Sequence, residues 1–458
     1  MMFEDEFVFT FYGDDFTGST DVMEVLEWGG VPTALFLEPP TPEIVRREFP
    51  DVRAVGVAGV SRTMSPAQMD EALPPAFQAM QALKAPFFHY KVCSTFDSSP
   101  TMGSIGRATE IGMGVFGSPM VPMMVGAPEL RRYVAFSNLF ARVDDVTYRL
   151  DRHPTMSKHP ITPMTESDLR LHLSAQTDLR IAALNVLHME RSPAEVDAYF
   201  SALVADGAQV ILFDSINRDH LSTIGRIIWG LRSDQPTFLV GSSGFQYALT
   251  QYWNDSGVVE RPAARPSPGP VDQLIVISGS AAPPTAEQIT WALENGFQGL
   301  RLDSVGLVDP ERAESVRAAT VEAALALLGQ HDHVLLYSAH GPDDPAISAT
   351  KAELERSGLG AARVGALLGK QQGLILRELL EATGLRRAVV CGGDTCGYAS
   401  SQLGIFALRA MIPVAPGAPL CRAYSHNERF NGLEIALKAG QVGKPDYFAS
   451  IARGSTTQ

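Results

Sequence analysis

Positive charge is what this chain most plainly lacks. Its 458 residues carry 37 Lys or Arg against 51 Asp or Glu, a formal net charge of −14. A nucleic acid or an anionic membrane calls for a basic surface, so neither is expected as a partner. Anions can still bind, but only through a local gathering of Arg, Lys and backbone N–H groups. Cysteine is scarce as well. Cys93, Cys391, Cys396 and Cys421 are scattered, with no CxxC pair and no zinc spacing. That excludes a disulfide framework and fits a reducing, cytoplasmic setting. Three of the four stand in apolar or Gly-rich surroundings and read as small buried residues. No run approaches the ~20 apolar residues of a membrane span. The opening MMFEDEFVFTFYGDD is acidic and passes straight into a strand pattern, unlike a signal peptide.

Two familiar motifs are also missing on inspection. Gly112-Met113-Gly114-Val115-Phe116-Gly117 fits GxGxxG but follows a helical pattern rather than a strand, so a dinucleotide fingerprint lacks its context. Gly365–Lys370 is one residue short of a Walker loop, with Gln371 where Ser or Thr belongs. The ten histidines contain no HExxH pair. His89, His188 and His340 lie in or beside strands and read as hydrogen-bonded core residues. His153 and His159 fall near prolines, in a loop.

What is present is a globular composition, 45% hydrophobic and 19% charged, in a chain long enough for two domains of roughly 200 residues each. Apolar strand runs alternate with helical patterns. The clearest strands are Phe7–Tyr12, Thr33–Leu37, Ala54–Gly59, Phe87–Val92, Ile181–Leu187, Val210–Phe213, Thr237–Val240, Leu274–Ile277, Val334–Tyr337 and Ala388–Cys391. Helices are expected over Ala286–Asn295, Pro310–Leu328 and Leu374–Thr383. Such alternation predicts an α/β fold of two domains, each a mostly parallel sheet flanked by helices, with a cleft between them. GVVERPAARPSPGP, residues 257–270, has four prolines and no apolar period. It reads as a linker between domains at 1–256 and 271–458. Residues 112–128 read as a long loop.

In parallel sheets, ligands collect where strands end and helices begin. The first strand ends in Gly13-Asp14-Asp15-Phe16-Thr17-Gly18. Helix capping explains one Asp, but not two behind a glycine. The pair can bind hydroxyls, act as a base or hold a metal. Arg62 follows the third strand, where its fork suits a carboxylate, though it also reads as a solvated surface residue. Lys91, Ser94 and Thr95 follow the fourth and suit an anionic, polyhydroxylated ligand. Farther on stand three glycine loops: Ser278-Gly279-Ser280, Gly392-Gly393-Asp394-Thr395, and Gly440-Gln441-Val442-Gly443 after a helical stretch ending at Lys438. Small residues let N–H groups approach phosphate oxygens. Each loop alone has a steric explanation; together they point to a nucleotide.

At this point the residues resemble the four-carbon acid sugar kinases, over nearly the whole chain. Asp14-Asp15-Phe16-Thr17-Gly18 resembles the family's DDxTG opening. Ser61-Arg62 and Lys91…Ser94-Thr95 are similar to its next two substrate loops, and the segment His159–Leu169 also matches. Ser278-Gly279-Ser280, Thr285…Gln288-Ile289, Gly392–Thr395 and Leu437–Gly440 resemble its nucleotide motifs. The resemblance implies an N-terminal domain for the acid and a C-terminal domain for ATP and Mg²⁺. It implies that Asp14 or Asp15, Arg62 and the Lys91–Thr95 loop contact the acid. Ser278, Ser280, Gly392, Gly393, Asp394, Thr395, Gly440, Gln441 and Gly443 would then face ATP, with Asp394 serving the metal. One departure stands out. Where the family reads Lys-x-Asp-Ser-Thr-Leu-Arg-Gly, this chain has Cys93 for the acid, no Arg and a longer loop, which points to a related keto-acid or a branched five-carbon acid. A non-catalytic sugar-acid sensor and a Lys91-dependent aldolase or dehydratase remain open alternatives, as does a homo-oligomer.

Overall fold

The computed structural model describes residues 6–143, 145–159, 162–262, 266–360 and 363–456. The chain divides into two compact units, Met1–Ala263 and Ala264–Gln458. Of the expected linker, residues 263–265 lie outside the described residues.

In the first unit eight strands form one parallel sheet. They are β1 (Phe9–Gly13), β2 (Thr33–Phe36), β3 (Ala54–Ala58), β4 (Phe87–Lys91), β5 (Val121–Met124), β9 (Ile181–Leu184), β10 (Val210–Phe213) and β11 (Thr237–Gly241). Their order is β2-β3-β1-β4-β11-β5-β10-β9. The chain leaves β1 toward one edge and β4 toward the other, so β1 and β4 flank the point where the winding reverses. Loops diverge there and leave a crevice at the strand ends. The strands are apolar on both faces because helices cover both. Phe9, Phe11, Phe87 and Phe88 are buried to 0% exposure, and Phe77, Phe88, Phe116 and Phe238 pack ring against ring.

Residues 112–128 are not a loop. Gly112–Phe116 ends the helix Ile105–Phe116, and β5 follows. Gly112 is small because a Cβ there would stand 2.1 Å from the Phe238 ring; helix-on-strand packing accounts for it. The expected strand Ile181–Leu187 stops at Leu184, since Asn185 caps a short helix, Val186–Met189. His188 lies in that helix, stacked on Tyr199. A separate antiparallel sheet comprises β6 (Arg132–Ala135), β7 (Asn138–Val143) and β8 (Val146–Arg149).

The second unit has seven strands: β12 (Leu274–Ser278), β13 (Phe297–Arg301), β14 (His333–Tyr337), β15 (Arg387–Cys391), β16 (Ile405–Ala415), β17 (Ala418–Ser425) and β18 (Glu434–Lys438). Their order is β13-β14-β12-β15-β18-β17-β16, parallel except where β17 pairs with its neighbours. Here β12 and β15 flank the reversal. Lys438 therefore ends a strand, not the expected helix. The other helices cover the expected stretches with shifted ends: Pro283–Glu294, Ala313–Leu328 and Val364–Thr383, the last beginning a full ten residues before Leu374. Among the described residues no helix is long and apolar enough to cross a membrane.

Candidate active site

Gly13 of β1 is in register with Ala58 of β3 and Lys91 of β4, so three strands end together. Backbone bonds then tie their loops. Asp14 donates its N–H to Lys91 O at 2.8 Å, and Arg62 N–H donates to Asp14 O at 3.0 Å. The Arg62 guanidinium grips both aspartates. Nε and Nη2 donate to Asp14 at 3.1 and 2.9 Å; Nη1 and Nη2 donate to Asp15 at 3.1 and 3.0 Å. The fork expected for a substrate carboxylate is thus taken by two protein carboxylates. Asp15 also caps the helix Phe16–Trp28 by accepting from Gly18 N at 2.9 Å. Gly18 is required by crowding: its Cβ would stand 2.6 Å from Asp15 Oδ1 and 2.8 Å from Lys91 Nζ.

The electrostatics separate these groups. Burial, with the like charge of Asp15, pushes Asp14 up to about 6, against the opposing charge of Arg62. Burial also raises Asp21, against the charge of Lys91. Beyond β4, Thr95 Oγ1 donates to Asp97 Oδ1 at 2.5 Å and contacts Cys93 Sγ at 2.9 Å. Burial works to raise Asp97, but the Arg62 charge and the Thr95 hydroxyl hold it below the usual carboxylate range. The Cys93 thiol is pushed up by burial and then by Asp97. Ser94 sits half-buried in the same loop. His89 is a core residue: it lies between Gly241 O and the Gln246 amide, at 3.0 Å from each, and burial lowers it to about 3.

Asp14, Asp15, Arg62 and Lys91 are brought together, with Thr95 within the same charge field. Asp21 and Asp97 belong to it too and were not singled out, although each lies a few residues past a flagged strand end. Removing Arg62 should be costly. Arg62→Met leaves a buried carboxylate facing another, and a loss on the order of 2 kcal/mol is expected after allowing for the part-exposed Asp15. Chemical denaturation at pH 7.5 measures it; the loss should shrink toward pH 5.5 as Asp14 takes up a proton.

In the second unit Ser278, Cys391 and Lys438 are in register across β12, β15 and β18. The three glycine loops consequently meet. Gly279 N–H donates to Cys391 O, and Gly392 N–H to Lys438 O, both at 2.9 Å. Gln372 links Ser278 O (3.1 Å) and the Thr395 hydroxyl (3.1 Å). Thr285 Oγ1 holds Gly440 O at 2.8 Å, while Gln288 Nε2 holds Val442 O and Gly443 O at 2.9 Å. A Cβ on Gly440 would stand 2.3 Å from Ser280 Oγ, and one on Gly279 2.1 Å from Thr395 Oγ1. Such a cradle fits a polyphosphate. The buried Lys438, bonded to Thr285 Oγ1 at 3.1 Å, lies beneath it. The Asp394 side chain lies outside the described residues.

Two family models match the chain: a sugar-binding N-terminal domain over residues 9–249 and a nucleotide-binding C-terminal domain over residues 275–448. The chain belongs to the four-carbon acid sugar kinase family. A 3-oxo-isoapionate kinase from Paraburkholderia graminis is 45% identical, over 97% of this chain and 94% of its own. A 3-oxo-tetronate kinase from Cupriavidus necator is 32% identical, over 96% and 95%. Solved structures from Salmonella typhimurium LT2 (TM-score 0.77, 23% identity, 99% of this chain and 100% of that one) and Haemophilus influenzae (0.73, 22%, 97% and 99%) share the fold. This sugar-acid kinase is therefore a phosphotransferase with a small-molecule acid acceptor and ATP as donor; the sensor and aldolase alternatives are not favoured.

Proposed function

We propose that this kinase phosphorylates a hydroxyl of a 3-oxo sugar acid of the isoapionate kind, in the cytoplasm. The 45% identity to a 3-oxo-isoapionate kinase carries the reading, against 32% for the tetronate enzyme. Cys93 in a loop that departs from the tetronate-type motif supports it. Asp14 orients the acceptor hydroxyl and takes its proton as the phosphoryl group arrives, for which a pKa of about 6 is well placed. Arg62 holds Asp14 and Asp15 in place, while Lys91, Ser94 and Thr95 meet the polar face of the acid. Ser278, Ser280, Gly392, Gly393, Thr395, Gly440, Gln441 and Gly443 hold the ATP phosphates; bound ATP supplies the phosphoryl group. Among the described residues no three His, Cys, Asp or Glu side chains are placed to hold a cation. Mg²⁺ accordingly belongs with the phosphates, which furnish much of its ligand set, with Asp394 as the protein's contribution.

A coupled ADP assay against four- and five-carbon 3-oxo and hydroxy acids tests the substrate. The highest kcat/KM should fall on 3-oxo-isoapionate; a preference for 3-oxo-tetronate would reverse the assignment. The pH profile tests the base. Asp14 must be unprotonated to accept a proton, so kcat should rise tenfold per pH unit below about 6 and level off above it. A profile flat down to pH 5 would remove Asp14 from that role.

A further inference from the structure

We propose that Arg132 binds the carboxylate of the sugar acid and so sets the enzyme's requirement for an acid. The inference rests on the kinase reading of the Asp14–Asp97 site. A substrate carboxylate taken out of water needs a paired cation with its hydrogen bonds aligned. The two nearest cations are already engaged. Both edges of Arg62 grip Asp14 and Asp15. Lys91 Nζ bonds Val92 O at 2.8 Å and acts on the charges of Asp14 and Asp21.

Arg132 is arranged differently. It opens β6 and is bridged to Ala127, just past the end of β5, at the same carboxyl edge of the sheet as the Asp14 and Lys91 loops. Nη1 alone is committed, donating to the main-chain carbonyls of Leu130 (3.2 Å), Arg131 (3.2 Å) and Arg142 (3.4 Å). These bonds fix the plane of the guanidinium. Nε is buried and has no partner, and Nη2 makes no hydrogen bond among the described residues. Nε and Nη2 form the side-on edge that receives both oxygens of a carboxylate. No carboxylate of the described residues pairs with Arg132. A buried donor left without an acceptor costs free energy, and a bound carboxylate removes that cost.

The position relative to Cys93 completes the argument. Burial disfavours the Arg132 charge, and the Cys93 side chain lies within electrostatic range of it. The resemblance places an acid at position 93 and an Arg farther along that loop. An acid there would compete for Arg132; a thiol leaves the fork open. With Cys93 rather than a carboxylate beside it, the Arg132 fork stays open to a carboxylate from the substrate.

The test uses the full-length enzyme with its best acid substrate and with the neutral primary amide of that acid. Arg132→Gln should raise KM for the acid about 30-fold, with kcat within threefold and KM for the amide unchanged. Arg132→Lys, which keeps the cation and a carbonyl contact, should give about a fivefold rise on the acid only; it carries the test if the Gln variant does not fold. An acid KM within twofold of wild type, or equal losses on acid and amide, would overturn the proposal. Calorimetry with acid alone separates this from the kinase reading. If no acid in the panel is phosphorylated but one binds, its Kd should still weaken about 30-fold in Arg132→Gln, and an unchanged Kd overturns the role of Arg132.

Discussion

Asp14→Asn should lower kcat about a thousandfold while leaving the ATP Kd and the folded state unaltered. The magnitude follows from the ~10²–10⁴-fold typical of a positioned general base. The Asn side chain is isosteric and its Oδ1 can still accept one of the two Arg62 bonds, while Asp15 keeps both its grip on Arg62 and its cap on the helix Phe16–Trp28. Loss of activity would therefore report lost basicity rather than collapse of the loop. Asp15→Asn provides the contrast. Asp15 is more exposed than Asp14, with 28% against 6% of its side chain accessible, and its work is capping and pairing; a fall of about tenfold is expected. Single-turnover rates with saturating ATP and acid decide between them. Were Asp14→Asn to retain more than a tenth of wild-type kcat, the proton would have to leave by another route.

The sheets and their ligand edges were legible because buried parallel strands spell near-continuous apolar runs, and the residues just after them stand out by polarity. Asp14, Arg62 and Lys91 lie some 30 to 80 positions apart, yet the β3-β1-β4 order brings them together, as strand–helix alternation leads one to expect. The small β6–β8 sheet was not legible, for a local reason. Its first turn, Phe136-Ser137, has φ of 51° and 65° in residues that seldom adopt them. The turn is held from outside, by Phe136 N–H and Ser137 N–H donating to the buried Asp214 at 2.5 and 2.9 Å. A turn stabilised by a residue 77 positions away leaves no Asn-Gly or Gly-Gly mark in the sequence. Arg132 was missed with it, since a strand that was not foreseen cannot be searched for a binding residue. Lys438 reads as the end of a helix in the sequence because Leu-Glu-Ile-Ala-Leu-Lys alternates too weakly to distinguish the two periods over six residues.

Gly393→Ala should raise KM for ATP about a hundredfold without lowering the melting temperature. A Cβ at Gly393 meets nothing within 4 Å, and the residue is the first of the helix Gly393–Gln402. Read only as part of the fold, the change is harmless or mildly stabilising, since Ala favours a helix over Gly by about 1 kcal/mol. Read as part of a phosphate cradle, the same empty space is where an oxygen must approach the N–H at the helix start, and a methyl group blocks it. The two readings make opposite predictions for one variant. Gly397→Ala is the matched control: it lies one turn farther on the same helix, also with nothing within 4 Å, and should leave KM unchanged with a melting temperature equal to or slightly above wild type. Acid binding should be untouched in both. An unchanged ATP KM in Gly393→Ala would mean that the Gly392–Thr395 loop is a tight turn and no more, and the nucleotide would then have to be sought along the Ser278–Ser280 and Gly440–Gly443 loops alone.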